Sequence, residues 1–133
     1  MSGVAIVRYL LSVNAPLIAV VPATRIAAGV LPLNTELPAI GVKEVDALQY
    51  LTVSMSSANR HMAGRVQVTV LAKTYPSKKQ ILALIRDALP ISRGTVNGIS
   101  CDSILPDLVG PDLDDPESII FEQSQDFMVR WNE

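Results

Sequence analysis

Any chemistry in this chain has to come from few side chains. The acids Asp112, Asp114, Asp115 and Glu117 crowd into the run PDLDDPE, one histidine, His61, follows Arg60, and one cysteine, Cys101, lies in a strand-like segment flanked by the apolar Ile99 and Ile104. Clustered carboxylates suit a hard cation such as calcium, which needs oxygen ligands wrapped around one ion. Here Pro111 and Pro116 stiffen the run, and the glycine and closing glutamate of an EF-hand loop are missing. The spacing favours a solvated loop, or a negatively charged surface facing a passage or a partner. A single His and a single Cys cannot build a multi-ligand zinc site between them. Cys101 reads as a small core residue and His61 as a solvated side chain. No serine sits in a Gly-x-Ser-x-Gly elbow, and no phosphate loop or dinucleotide fingerprint occurs. The residues point away from an enzyme, and no metal or cofactor is expected.

The basic residues Arg60, Arg65, Lys73, Lys78 and Lys79 cluster in sequence. They lack interleaved aromatics to stack bases, and with a pI near 5.3 tight phosphate-driven binding is not expected.

These residues must be positioned by the elements around them, and the clearest is the stretch GRVQVTVLAKTYPSKKQILALIRDAL, Gly64 to Leu89. Val66, Val68, Val70 and Ala72 alternate with Gln67 and Thr69, the period of a half-buried strand. Pro76 blocks further ladder pairing, and Ser77 with Gln80 has the spacing of a capping box opening a helix over about 77–89. Along it Ile81, Leu82, Leu84, Ile85, Ala88 and Leu89 share one arc, opposite Lys79, Arg86 and Asp87.

Before this unit, Gly3 to Val13 is predicted to be a helix buried on most sides, with Arg8 and Ser12 as its polar edge. Asn14 can cap a short helix through Val20, with Pro16 in its first turn. Thr24 to Val30 and Ala39 to Asp46 suit strands, with a Pro-bounded loop between them. Leu51, Val53 and Met55 suggest a further extension after a break, and Ser56 to Ala63 a mobile loop. After Pro90, Gly94 to Ser103 suits a strand or a tight turn at Asn97-Gly98. Pro106 to Pro116 reads as a surface loop. Ile119 to Trp131 is a closing strand, with Ile119, Phe121, Phe127, Val129 and Trp131 on one parity. This order predicts one α+β domain over residues 1–133: a mainly antiparallel or mixed sheet flanked by the N-terminal helix and a second amphipathic helix.

Apolar residues make up 49% of the 133 and charged residues 18%. A small soluble monomer usually carries about 25–35% charged residues on its surface, so part of this surface is expected to be covered by other chains. Net charge is −2 but lopsided. Residues 1–100 hold ten Lys or Arg against four acids, a balance of +6, and residues 101–133 hold nine acids against Arg130, a balance of −8. Oppositely charged regions favour head-to-tail contact between identical subunits, unless both are simply solvated faces. One cysteine excludes an internal disulfide and fits a reducing compartment. The opening VAIVRYLLSV is interrupted by Arg8 and lacks a basic leader, and no stretch approaches the ~20 apolar residues of a membrane span. A soluble, unprocessed, intracellular protein is expected.

The Gly64–Leu89 unit resembles the central motif of the tail-completion, or tail terminator, family of long flexible-tailed phages. There a strand of the type RVQxxVxA leads through a Tyr-containing corner into an amphipathic helix. Three further segments are similar in order and spacing: the apolar first helix followed by Thr24 to Ile26, the loop into Leu37-Pro38 and a strand, and the ending QSQDFMVRW. Leu48 to Ala63 is longer than the pattern, and Pro106 to Pro116 has no counterpart in it. The resemblance implies a structural role in the virion, at the head–tail junction after assembly in the host cytoplasm. It implies a homo-oligomeric ring, commonly of six subunits, that caps the head-proximal end of the tail tube, stops its polymerisation and docks to the neck. The implied partners are other copies of the chain, the tail tube protein and a head or neck connector, with no membrane. DNA passes through without specific binding, so a neutral or acidic lumen is expected. Asp112, Asp114, Asp115 and Glu117 are then candidates for the lumen or axial mouth, and Arg60, His61 and Arg65 for a subunit or tube contact. Another head–tail connector or neck subunit, and a bacterial binding or adaptor domain outside any virion, are the alternatives.

Overall fold

The computed structural model describes residues 3–29, 36–50, 61–89, 94–96, 98–115 and 120–132, with Tyr50, Asp114 and Asp115 described for their backbone. The first helix, α1 (Gly3–Ser12), is followed by α2 (Ala15–Ile18), whose N-cap Asn14 accepts a hydrogen bond from Leu17 N–H at 3.1 Å. A single 3-10 turn leads into β1 (Ile26–Ala28), and β2 (Ala39–Tyr50) and β3 (His61–Ala72) are long strands. The helix α3 (Tyr75–Ala88) precedes β4 (Gly94–Val96), β5 (Ile99–Val109), β6 (Leu113–Asp115) and β7 (Ile120–Asn132). Among the described residues the strands form one sheet in the order β1-β2-β3-β7-β5-β4, and β6 pairs with β7 beyond the end of β5. Only β1–β2 is parallel. This is the expected α+β fold, with a mixed sheet.

The helices α1, α2 and α3 lie on one face of the sheet. Val66, Val68, Val70 and Ala72 of β3 are completely buried there, as their alternation predicts. They join Phe127, Val129 and Trp131 of β7 and Ile6, Val7, Leu11, Ile81, Leu82 and Ile85 of the helices in one core. The α1 helix is less enclosed than its composition suggests: Tyr9 is exposed, and so is Val13 just past its end, because a single layer of helices leaves the outer side of each to solvent.

Several boundaries differ from expectation, each for a local reason. The α3 helix starts two residues early, because Thr74 is its N-cap: Thr74 Oγ1 accepts from Ser77 N–H at 3.3 Å. Pro76 sits inside the first turn, where its missing N–H costs nothing. β2 is unbroken through Tyr50, absorbing Val45 as a bulge between Glu44 and Asp46. The expected extension at Leu51 to Met55 lies outside the described residues. β3 begins at His61, so residues 61–63 are strand rather than loop: ladder pairing to β2 and β7 on both sides outweighs their small, polar composition. Between Val96 and Ile99, which pair, the chain turns through Gly98 at φ +80°, so Gly94 to Ser103 is both strand and turn.

The largest correction concerns Pro106 to Pro116. Pro106 to Val109 belong to β5 and Leu113 to Asp115 form β6, leaving Gly110 to Asp112 as the connection. An outer strand tolerates proline because its outward edge owes no ladder bond.

Candidate functional site

The sheet face away from the helices carries a charged centre. Antiparallel register brings Arg65 of β3 beside Asp46 of β2 and Met128 of β7, one step from Asp126. Arg65 Nη1 donates to Asp126 Oδ2 at 3.2 Å and also pairs with Asp107 of β5, and its backbone N–H donates to Asp46 Oδ1 at 3.3 Å. Gln67 Nε2 donates to Ser124 Oγ next to it, at 3.4 Å. The hydrogen bond that Arg65 donates to Asp126 is the main cause that raises the Arg65 pKa above its ordinary value, so this guanidinium stays charged and does no acid–base work.

A second cluster ties α3 to the β5–β6 connection. Tyr75, Lys78 and Lys79 occupy the first turns of α3, one helical turn apart or less, and converge on Asp112. Lys78 Nζ donates to Asp112 Oδ1 at 2.8 Å, Lys79 Nζ to the same oxygen at 3.1 Å, and Tyr75 Oη to Oδ2 at 3.1 Å. Both ammonium groups also lie near the face of the Tyr75 ring, at 4.5 and 5.1 Å from its centroid. Two buried glutamines of β7 complete the arrangement. Gln123 Oε1 accepts from Lys79 Nζ at 2.6 Å while its Nε2 donates to Gly110 O at 2.8 Å, and Gln125 Oε1 accepts from Arg86 Nε at 2.6 Å. Lys79 and Arg86, expected on the solvated side of the helix, bend back to the sheet because β7 offers acceptors there.

The Lys78 side chain is fully buried, whereas Asp112 is 37% exposed. Removing one member of such a pair is therefore asymmetric in its effect. Asp112→Ala leaves the buried ammonium without this carboxylate, whereas Lys78→Met removes the buried charge with its desolvation cost. Thermal melts should show the larger loss of Tm for Asp112→Ala, and the reverse order would refute the burial of Lys78.

The hydrogen bond from Lys78, then that from Lys79, hold the Asp112 carboxyl down at about 2, from an ordinary 3.8. For a depressed carboxylate the stabilisation is complete above the unfolded value and is lost as pH falls through the folded one. Wild type is expected to exceed Asp112→Asn in Tm at neutral pH. The difference should shrink as pH drops from about 4 to about 2. A gap that stays constant over that window would show that Asp112 is not ion-paired in solution.

Cys101 is buried, and its Sγ lies 3.8 Å from Ser103 O. Burial, then the charge of Asp102, pushes its thiol pKa up, the opposite of what a nucleophile needs. Ellman's reagent should leave the native protein unmodified on the minute timescale and react with one thiol only in denaturant.

Of the residues singled out in the sequence, the structure gathers few. Asp112 is neutralised by Lys78 and Lys79. Asp114 and Asp115 lie in β6, and Glu117 and Arg60 lie outside the described residues. His61 is half-buried at the start of β3, opposite Tyr50 and Asn132. It lies four residues from Arg65 along the strand, so the two are apart. The basic run is likewise dispersed, with Arg65 on the open sheet face, Lys78 a buried residue of α3 and Lys73 exposed. Sequence reasoning missed Tyr75, Gln123 and Gln125. The last two were detectable as polar residues on the parity of Phe127, Val129 and Trp131. Among the described residues, no group of three or more His, Cys, Asp or Glu is placed to hold a metal ion, and no helix is long and apolar enough to cross a membrane.

The chain is thus an α+β domain with its helices on one face of a single sheet, its charged clusters built from groups that satisfy one another. No protein-family model and no curated protein sequence matches it. Solved structures share its fold. A chain from the virion of a native gene transfer agent particle aligns over 99% of this chain and 96% of its own length, with a TM-score of 0.75 and 15% identity. A second solved chain aligns over 91% of this chain and 86% of its own, at a TM-score of 0.53 and 14% identity. At these identities the likeness is one of fold.

Proposed function

We propose that this chain is a structural subunit of a phage-type virion that forms a ring on the head-proximal end of the tail tube, ends tube polymerisation and docks to the neck. The observation that carries this reading is the near end-to-end fold likeness to a chain of a gene transfer agent virion, itself a particle. The low charged fraction and the opposed charge of the two parts of the sequence support it, because both suit a domain whose surface is covered by copies of itself and by neighbours.

The role needs shape and electrostatics rather than catalysis. DNA passing through a ring must not adhere, so the lumen should carry little positive charge. Asp114, Asp115 and Glu117 are proposed to face the lumen or its mouth. Asp112, paired with two lysines, adds little free negative field there. Arg65 is already held by Asp107 and Asp126 and is a weaker candidate than Arg60 or His61 for a tube contact.

Deleting the gene from its phage and inspecting particles by electron microscopy tests the reading. Overlong or ragged tails detached from full heads are expected. Heads that lose their DNA would instead identify a neck subunit, and normal particles would refute a virion role.

A further inference from the structure

Two stretches of the sheet are exposed on both faces and along one edge. β1 covers β2 only through Val42, and every residue from Lys43 to Gln49 is exposed. On the opposite side β4 covers β5 only through Cys101, and Leu105 to Val109 are all exposed. Among the described residues no strand lies outside either stretch. Each carries large apolar side chains in solvent: Val45 at 50% and Leu48 at 63% exposure on β2, Leu105 at 57% and Leu108 at 64% on β5. Apolar groups gathered beside a row of unpaired backbone donors and acceptors mark a surface prepared for another strand.

The two stretches match each other. The pairings β2–β3, β3–β7 and β7–β5 are all antiparallel, so β2 and β5 run in opposite directions. Register carries positions across the sheet. Lys43 lies level with Gln67 and Asp126, and Leu48 with Ala63, Arg130 and Ser103. On β5 the open stretch runs from Ser103, level with Arg130, to Val109, level with Gln125. The two open edges therefore occupy the same levels. The strands that close the rest of each edge lie at opposite ends, β1 level with Gln123 to Gln125 and β4 from Trp131 onward.

We propose that the open edge of β2 docks head to tail on the open edge of β5 in a second copy of this chain, antiparallel and at the same levels, with Val45 and Leu48 of one copy beside Leu105 of the next and Leu108 near the aliphatic stem of Lys43. Lys43 stands level with the β5 irregularity that contains Asp107, but Glu44 and Asp46 share the β2 edge and Asp107 is held by Arg65, so apolar contact rather than charge carries the fit. Pro106 and the two bulges interrupt the ladder, so side chains carry much of the contact. In the free chain the same features discourage indiscriminate strand pairing. Contact between two different surfaces of one chain repeats, and closes into a ring when the rotation permits. The inference rests on the ring reading above and names its contact.

The test combines Leu48→Cys with Ser103→Cys, at level positions on the two edges, oxidises the full chain mildly and compares it with each single variant on non-reducing gels. Native mass spectrometry of the wild type and of Leu48→Glu runs alongside. A ladder that ends at the ring's subunit number is expected in the double variant, with nothing beyond dimer in either single variant. Leu48→Glu should keep the wild-type circular dichroism and raise the concentration for half-assembly at least about tenfold. A ladder without an end supports the edge contact and refutes the ring. Wild-type rings that give no ladder and are unaffected by Leu48→Glu overturn the edge contact and leave the ring standing. A wild type that never assembles, with no ladder, overturns both.

Discussion

Val68→Asp is expected to leave the chain unable to fold cooperatively. Val68 is fully buried at the centre of β3, between Val42 of β2 and Gln125 of β7, on the face the helices cover. Arg86, on the same side of the sheet, is already engaged by Gln125 Oε1, and Arg65 with its acids lies on the other side, so a carboxylate placed there has no cation free to pair with it. Burying an unpaired charge costs several kcal/mol even after relaxation, comparable with the roughly 5–15 kcal/mol that hold a domain together. Insoluble protein, or a soluble product with no sigmoidal urea transition, is the expected result. Thr69→Asp, one residue on and half-buried on the open face, should fold normally. Cooperative unfolding of Val68→Asp at the wild-type midpoint would invert the strand's parity and with it the core.

Trp131→Ala should cost about 3–5 kcal/mol, the range for removing a large aromatic from a packed interior. Trp131 is 1% exposed, and two glycines let the backbone close on its ring. A Cβ at Gly64 would lie 3.0 Å from the indole and 3.1 Å from the Asp46 carbonyl, and one at Gly3 would lie 3.1 Å from the indole. The start of α1 and the first half of β3 thus meet on one side chain. Gly64→Val forces that contact apart and should be strongly destabilising as well. Urea melts followed by circular dichroism measure both variants. In Gly64→Val the protein's single tryptophan reports directly, through a red-shifted emission. Wild-type stability in either variant would show that the indole is not packed between these glycines.

Much of this architecture was legible in the chain because its signals are local. The alternation from Val66 to Ala72, the arc from Ile81 to Leu89 and the Asn14 cap each depend on residues within a turn or a few strand positions of one another. The same locality explains the errors. Thr74 and Ser77 are both competent caps, and only the path of the preceding chain selects between them. His61 to Ala63 and Pro106 to Val109 have loop-like composition, yet a long partner strand supplies the hydrogen bonds that hold them extended. Of the site residues, Asp112 was visible as an acid but not as the partner of Lys78 and Lys79, 34 and 33 residues earlier in the chain.

The sequence by itself determined the elements, the buried parity of β3 and β7, and the opposed charge of the two parts of the chain, because side-chain period and composition are written residue by residue. Tertiary structure alone decided that β7 runs between β3 and β5, and so that Arg65 faces Asp107 and Asp126 and that β2 and β5 are left with open edges at one level. Those outcomes depend on strand order, and strand order is set by contacts between segments as much as 61 residues apart, which no local pattern encodes.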